Sequence, residues 1–122
     1  MVKTVGPDNL ITHIIDALED VKGEDICVMD LRDIENTVCQ YFVICSGTSN
    51  TQVNALAGTV QKKVSKALRE KPLQAEGLEN SEWVLLDYVD VVVHIFQRHV
   101  REHYDIESLW GDAKLTEIAS SY

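Results

Sequence analysis

The sequence has little of several features that would define a class of protein. Its 122 residues include three cysteines, which is an odd number, and no Cys-x-x-Cys pair. No apolar run approaches the roughly 20 residues of a transmembrane helix, and residues 1–7 carry no apolar signal segment. We therefore expect a cytoplasmic protein that does not contact membranes, in which Cys27, Cys39 and Cys45 are buried free thiols.

Basic residues are also scarce. Eleven Lys and Arg stand against twenty Asp and Glu, a net charge of −9. Such a chain is repelled by nucleic-acid phosphates, so we expect no nucleic-acid sequence recognition and a preference for basic partners. Between residues 76 and 112 there are nine acidic and two basic residues, a local net charge of −7. This half is the expected docking side.

Helical and alternating apolar patterns predict one α/β domain over residues 1–112 with a mixed sheet of about five strands and helices packed on it. Residues 113–122 have little pattern, and we expect a mobile C-terminal tail there. The predicted helices cover about 8–22, 49–71 and 98–104, and the predicted strands cover 26–31, 38–46, 73–76, 83–88 and 91–96.

The turn from Ser46 to Asn50 is a first candidate site. A Gly-Thr-Ser turn before a helix is able to bind phosphate, and nucleotidyltransferases use a Gly-Ser turn in this topological position. The alternative function is therefore a nucleotide-binding enzyme that uses Gly47 and Ser49. No pair of carboxylates suited to Mg²⁺ follows on a strand, which favours a structural turn capped by Ser49. We expect no catalytic residue and no cofactor.

Histidines provide a second candidate. His99 and His103 stand four apart on a predicted helix, which is a spacing found among metal ligands, but the sequence offers no evident third ligand. We expect an exposed helix surface and no metal. His94 alternates with valines, and a partly buried, hydrogen-bonded histidine is expected there.

The predicted hairpin near residues 83–90 is the third candidate. Trp83 and Tyr88 stand beside the carboxylates of Asp87 and Asp90, which is the composition of a protein-binding hot spot with charges that attract a basic partner. The same aromatic residues could equally fill the core. Composition alone leaves both interpretations open.

Several blocks in order resemble the ribosomal silencing factor family, also called the Iojap family. The blocks are Asp30-Leu31-Arg32-Asp33-Ile34, Tyr41-Phe42-Val43-Ile44-Cys45-Ser46-Gly47-Thr48-Ser49, Trp83-Val84-Leu85-Leu86-Asp87-Tyr88, Val91-Val92-Val93-His94-Ile95-Phe96 and Arg101-Glu102-His103-Tyr104-Asp105-Ile106-Glu107-Ser108-Leu109-Trp110-Gly111-Asp112. The resemblance runs from about residue 8 to residue 113.

This resemblance implies a nucleotidyltransferase-like topology that lacks the catalytic carboxylates. It also implies a non-enzymatic translational repressor that binds large-subunit ribosomal protein number fourteen at the intersubunit face. The bound protein would block joining of the small subunit, especially under nutrient limitation. A homodimer of the free protein is a further expectation. The partner-binding residues that the resemblance implies are Trp83, Leu85, Asp87, Tyr88, Asp90, Tyr104 and Asp105.

One position departs from the family pattern. The family often has glycine before the aspartate of the hairpin turn, where this chain has Val89. A left-handed backbone at this position would be unfavourable for valine.

Overall fold

One mixed β-sheet organises the part of the chain that the computed structural model describes, residues 7–37 and 39–119. The helices are α1 (Pro7–Asp20), α2 (Asn50–Leu68), α3 (Arg98–Tyr104) and α4 (Ile106–Leu109), and the strands are β1 (Glu24–Asp30), β2 (Tyr41–Gly47), β3 (Gln74–Glu76), β4 (Trp83–Asp87), β5 (Val91–Gln97) and β6 (Lys114–Glu117).

The strand order is β3-β4-β5-β2-β1-β6. Strands β2 and β5 pair in parallel, and the other neighbours pair antiparallel. The predicted α/β class with a mixed sheet is confirmed. The described sheet has six strands rather than about five.

The sixth strand corrects the predicted tail. Residues 114–117 form β6, which pairs with β1 from Asp30↔Lys114 to Cys27↔Glu117. All four residues of β6 are exposed, so no alternation of buried apolar and exposed polar residues predicts this strand. Its backbone hydrogen bonds to β1 place it, and sequence patterns do not record such bonds. Residues 120–122 of the predicted tail lie outside the described residues.

Strand β2 occupies the interior of the sheet, between β5 and β1. Every residue of Tyr41–Gly47 is buried. The nearly continuous apolar run predicted a strand covered on both faces, and this prediction is confirmed. The strand begins later than predicted, at Tyr41, and Val38 lies outside the described residues.

Helices α1 and α2 cover one face of the sheet, which we call the α1–α2 face. The main core lies between them and the inward side chains of the central strands. From α2 the buried side chains are Val53, Leu56, Ala57, Val60 and Val64, as the helical spacing predicted. These side chains recur at intervals of three and four residues because that spacing keeps them on one side of a helix.

The ends of α2 have local causes. The Ser49 hydroxyl accepts a hydrogen bond from the Gln52 backbone N–H at 3.1 Å and caps the helix start. At the other end Arg69 adopts a left-handed conformation with φ of 56°, and its N–H bonds the Ser65 carbonyl. The helix therefore ends at Leu68, three residues before the predicted end at residue 71.

The opposite face of the sheet carries a second apolar cluster, and we call it the aromatic face. Its central side chains are Phe42, Trp83, His94 and Phe96, with Trp110 packed against their edge. Helices α3 and α4 and the segment after β1 cover only part of it, which leaves Trp83 and Leu85 partly exposed. This partial cover makes the aromatic face the place to look for a site.

Candidate docking surface

Strand β4 sends alternate side chains to opposite faces of the sheet. Trp83, Leu85 and Asp87 are partly exposed, while Val84 and Leu86 between them are fully buried. The register with β5 aligns the partly exposed residues with side chains of the aromatic face. A strand has a period of two, so three of the predicted partner-binding residues lie together on this face.

Trp83 is held by contacts on several sides. Its ring stacks on Phe96 with centroids 4.8 Å apart, and its Nε1–H donates to His94 Nδ1 at 3.1 Å. Tyr104 of α3 packs against it at 4.9 Å and an angle of 46°. Trp83 and Tyr104, 21 positions apart in sequence, therefore form one aromatic surface. Tyr104 is 51% exposed.

Asp105 follows Tyr104 at the junction of α3 and α4. It adopts a left-handed conformation with φ of 45° and closes α3 through its N–H to the Arg101 carbonyl. Its carboxylate accepts a hydrogen bond from the Ser108 hydroxyl at 2.6 Å. Asp105 is exposed, so it adds negative charge beside Tyr104.

Arg101 fixes α3 to the sheet. Its guanidinium donates to the Asp25 carbonyl at 2.7 Å and to the Ser46 hydroxyl at 2.8 Å. It also pairs with the Glu107 carboxylate at 3.1 Å, which ties α4 to the same group. Arg101 and Glu107 line a crevice of about 400 Å³ beside the end of β2. Local sequence patterns do not reveal this anchor, because its partners come from three other segments, β1, β2 and α4.

The β4–β5 turn adds charge at the edge of the same face. Asp87 accepts a hydrogen bond from the Val89 N–H at 2.8 Å, and Asp90 is exposed. Val89 has φ of 75° and is exposed, so valine occupies the left-handed position that we predicted to be unfavourable for it. The register of β3 with β4 places exposed Glu76 opposite Leu85, another carboxylate that sequence reasoning did not select.

Tyr88 does not join this surface. It is 6% exposed and packs in the core on the α1–α2 face, where burial raises its pKa to about 12. The prediction that Tyr88 contributes to partner binding is therefore wrong for the free chain. Four steps along the chain, an even number, lead from Trp83 to Asp87, whereas five steps lead to Tyr88, so the alternation of the strand sends Tyr88 to the opposite face.

His94 is a central residue of the aromatic face, which its valine neighbours in the sequence did not indicate. It lies at the centre of the aromatic face, is 5% exposed and is edge-on to Phe42 at 4.6 Å. Burial lowers its pKa to about 4, so the imidazole is neutral near pH 7. The prediction of a hydrogen-bonded buried histidine is confirmed, and its donor is the indole of Trp83.

The Gly47 turn is occupied by its own helix. The Thr48 N–H donates to Gln52 Oε1 at 2.6 Å, and the Gln52 amide donates to the carbonyls of Val21 and Lys22, each at 3.2 Å. A Cβ at Gly47 would approach Val53 to 2.9 Å, so glycine allows close packing of β2 on α2. These contacts give the turn a structural role.

The remaining candidate ligands lie apart. Within residues 7–37 and 39–119 no cluster of three or more His, Cys, Asp or Glu is arranged to hold a metal ion. His99 and His103 are exposed. The three cysteines are buried and free, as predicted, and burial raises the pKa of the Cys27 and Cys39 thiols to about 11. None of these groups offers a reactive thiolate.

Comparison with known proteins gives a consistent result. The family described as "Ribosomal silencing factor during starvation" matches residues 5–121. Among curated proteins, a ribosomal silencing factor RsfS of Chromobacterium violaceum is 46% identical over 100 residues, which is 82% of this chain and 80% of that protein. The RsfS protein of Bacillus subtilis is 39% identical, over 84% of this chain and 85% of that protein.

More distant similarity extends to eukaryotes. The mouse protein named "Mitochondrial assembly of ribosomal large subunit protein 1" is 30% identical over 90% of this chain and 50% of that protein. A crystal structure of a protein from Chromobacterium violaceum has a TM-score of 0.83 at 39% identity and covers 96% of this chain and 97% of its own. None of the helices in the described ranges is both long and apolar enough to cross a membrane.

Proposed function

Since this chain belongs to the ribosomal silencing factor family, a family of regulatory proteins rather than enzymes, we propose that it represses translation by a steric block. It binds the large ribosomal subunit and prevents the small subunit from joining, especially when nutrients are limited. Acting on ribosomes, it works in the cytoplasm. The observation that carries the proposal is the pairing of Trp83 with Tyr104 on a partly exposed face, with Asp105 next to Tyr104 and Asp87 at the far end of β4.

The proposed partner is large-subunit ribosomal protein number fourteen, at the intersubunit face. Ribosomal proteins are commonly basic, and the docking surface carries carboxylates at Glu76, Asp87, Asp90 and Asp105. Opposite charges accelerate encounter and orient the complex, while the aromatic pair supplies the desolvated contact area. Leu85 extends the apolar part of this surface along β4.

Obstruction needs no chemistry. A folded chain of 122 residues has a radius of gyration of about 14 Å by size scaling. A body this large at a subunit interface excludes the opposing surface by volume alone. The site therefore has to supply only affinity and orientation. The Gly47 turn, where the Thr48 N–H bonds to Gln52 within the chain, is not needed for that role.

A binding experiment with a matched control tests the proposal. Large subunits are sedimented with the wild-type chain, with Asp87→Lys and with Asp16→Lys, which makes the same charge change at an exposed position on α1. We expect Asp87→Lys to weaken binding by about tenfold or more and Asp16→Lys to have little effect. A subunit-joining assay should show the same order of inhibition.

Equal binding by the two lysine variants would place the contact elsewhere on the molecule. No sedimentation of the wild-type chain with free large subunits at low salt would refute the function itself. Sedimentation equilibrium of the free chain tests the homodimer: a dimer that masks the docking surface should dissociate when large subunits are added.

A further inference from the structure

His94 has one ring nitrogen engaged and one without a protein partner. Its Nδ1 accepts the hydrogen bond from Trp83 Nε1–H at 3.1 Å. A neutral imidazole carries its single proton on the other nitrogen when one nitrogen accepts, so the proton is on Nε2. Within the described residues Nε2 is buried and has no hydrogen-bond partner. Leaving a buried donor unpaired is unfavourable, so a histidine at this position needs a compensating role.

Its surroundings are aromatic. Phe42 meets the imidazole edge-on at 4.6 Å, and Phe96 lies nearly parallel to it with centroids 6.1 Å apart. The cross-strand register places Leu85 on one side and Ile44 on the other. An apolar side chain would suit this environment better than histidine on packing alone. The remaining role is the bond to Trp83.

That bond determines what Trp83 offers to a partner. The indole N–H is the only hydrogen-bond donor of a tryptophan side chain, and His94 uses it inside the protein. Phe96 stacks on the indole ring, and Tyr104 packs against the same ring. The partly exposed surface of the pair therefore consists of aromatic rings and the Tyr104 hydroxyl, with the exposed carboxylate of Asp105 next to Tyr104.

We propose that His94 is a positioning residue that holds the indole of Trp83 through its N–H, so that the Trp83–Tyr104 pair presents its rings to a cationic side chain of the partner. The inference rests on the proposed docking function and deepens it. Aromatic rings attract guanidinium and ammonium groups, and neighbouring carboxylates strengthen the attraction. The indole N–H makes no bond to the partner.

The positioning step is tested without ribosomes. The Trp83 indole N–H resonance is assigned by its disappearance in Trp83→Phe and then followed in His94→Leu and His94→Gln. We expect a marked shift in His94→Leu, which has no acceptor, and recovery towards the wild-type position in His94→Gln, whose amide oxygen accepts. An unchanged resonance in His94→Leu, with the fold retained by circular dichroism, refutes the positioning role whatever the function is.

The docking step is tested with large subunits. We expect His94→Leu to weaken binding about tenfold in the wild-type chain. In the Trp83→Phe chain the same substitution should change binding little, because the bond is already absent there. Trp83→Phe alone should lose about as much affinity as His94→Leu, because it lacks the same bond. Equal losses in both backgrounds overturn the proposed route through Trp83.

The cationic partner is tested at Tyr104. Tyr104→Phe keeps the ring and should lose severalfold less affinity than Tyr104→Leu, because only the ring attracts a cation. Equal binding by the two variants overturns the cationic contact. If the wild-type chain binds no large subunits, the proposed function fails, and the indole resonance alone then decides the positioning role.

Discussion

Replacing Arg101 with methionine should release α3 and α4 from the sheet. Methionine keeps a long unbranched stem but has no donor and no charge. The change removes the bonds to the Asp25 carbonyl, to the Ser46 hydroxyl and to the Glu107 carboxylate. The acceptors left behind lie in or beside the crevice at the end of β2, where water reaches them only in part.

The expected loss follows from exposure. Breaking a fully buried ion pair by removing one partner destabilises a protein by about 3–5 kcal/mol. The side chains of Arg101 and Glu107 are 12% and 28% exposed, so solvent screens part of the interaction. We therefore expect a decrease of about 2–3 kcal/mol in the free energy of unfolding, which is smaller than the loss for a fully buried pair.

Arg98 provides the matched control on the same helix. It pairs with Glu24, but the two side chains are 54% and 35% exposed, so Arg98→Met should change stability by less than about 1 kcal/mol. Urea unfolding followed by circular dichroism measures both variants. Amide hydrogen exchange shows whether α3 opens separately in Arg101→Met. Equal stability of the two methionine variants would refute the anchoring role of Arg101.

Three further outcomes follow from the same structure. Burial lowers the His94 pKa to about 4, so the unfolded chain binds a proton at this histidine first as the pH falls, and urea unfolding should show roughly 2 kcal/mol less stability at pH 4.5 than at pH 7. In His94→Gln the stability should depend less on pH. Parallel pH profiles of the two proteins would contradict this prediction. Val89→Gly should raise stability by up to about 1 kcal/mol by relieving a left-handed valine, while Val89→Ala, which keeps a Cβ, should gain little. Leu86→Ala should lower stability by about 2–5 kcal/mol and Leu85→Ala by clearly less, since Leu86 is fully buried and Leu85 is not; the reverse order in thermal unfolding would mean that the faces of β4 are exchanged.

The elements with strong periodic patterns are the ones that the sequence predicts. The buried spacing of α2, the doubly covered β2 and the β4–β5 hairpin all appear in the structure. The three buried free thiols were predicted as well. These features depend on local composition and on periods of two or 3.6 residues, which are properties of the chain itself.

The candidate site was predicted in part. Trp83, Leu85 and Asp87 share a partly exposed face, as the hairpin interpretation required, and Tyr104 packs beside them. Tyr88 was assigned to the surface but lies in the core. Composition did not distinguish these cases because an aromatic residue suits either environment, and only its parity along the strand separates them.

The sequence by itself determined the α/β class, the central apolar strand, the negative charge of the C-terminal half and the valine at a turn that requires a left-handed residue. The tertiary structure alone decided that β6 joins the sheet, that Arg101 ties four segments together and that His94 accepts a hydrogen bond from the indole N–H of Trp83. Each of these contacts joins residues that are distant along the chain or on separate strands. Their geometry depends on strand register and packing, which no local pattern of residues encodes.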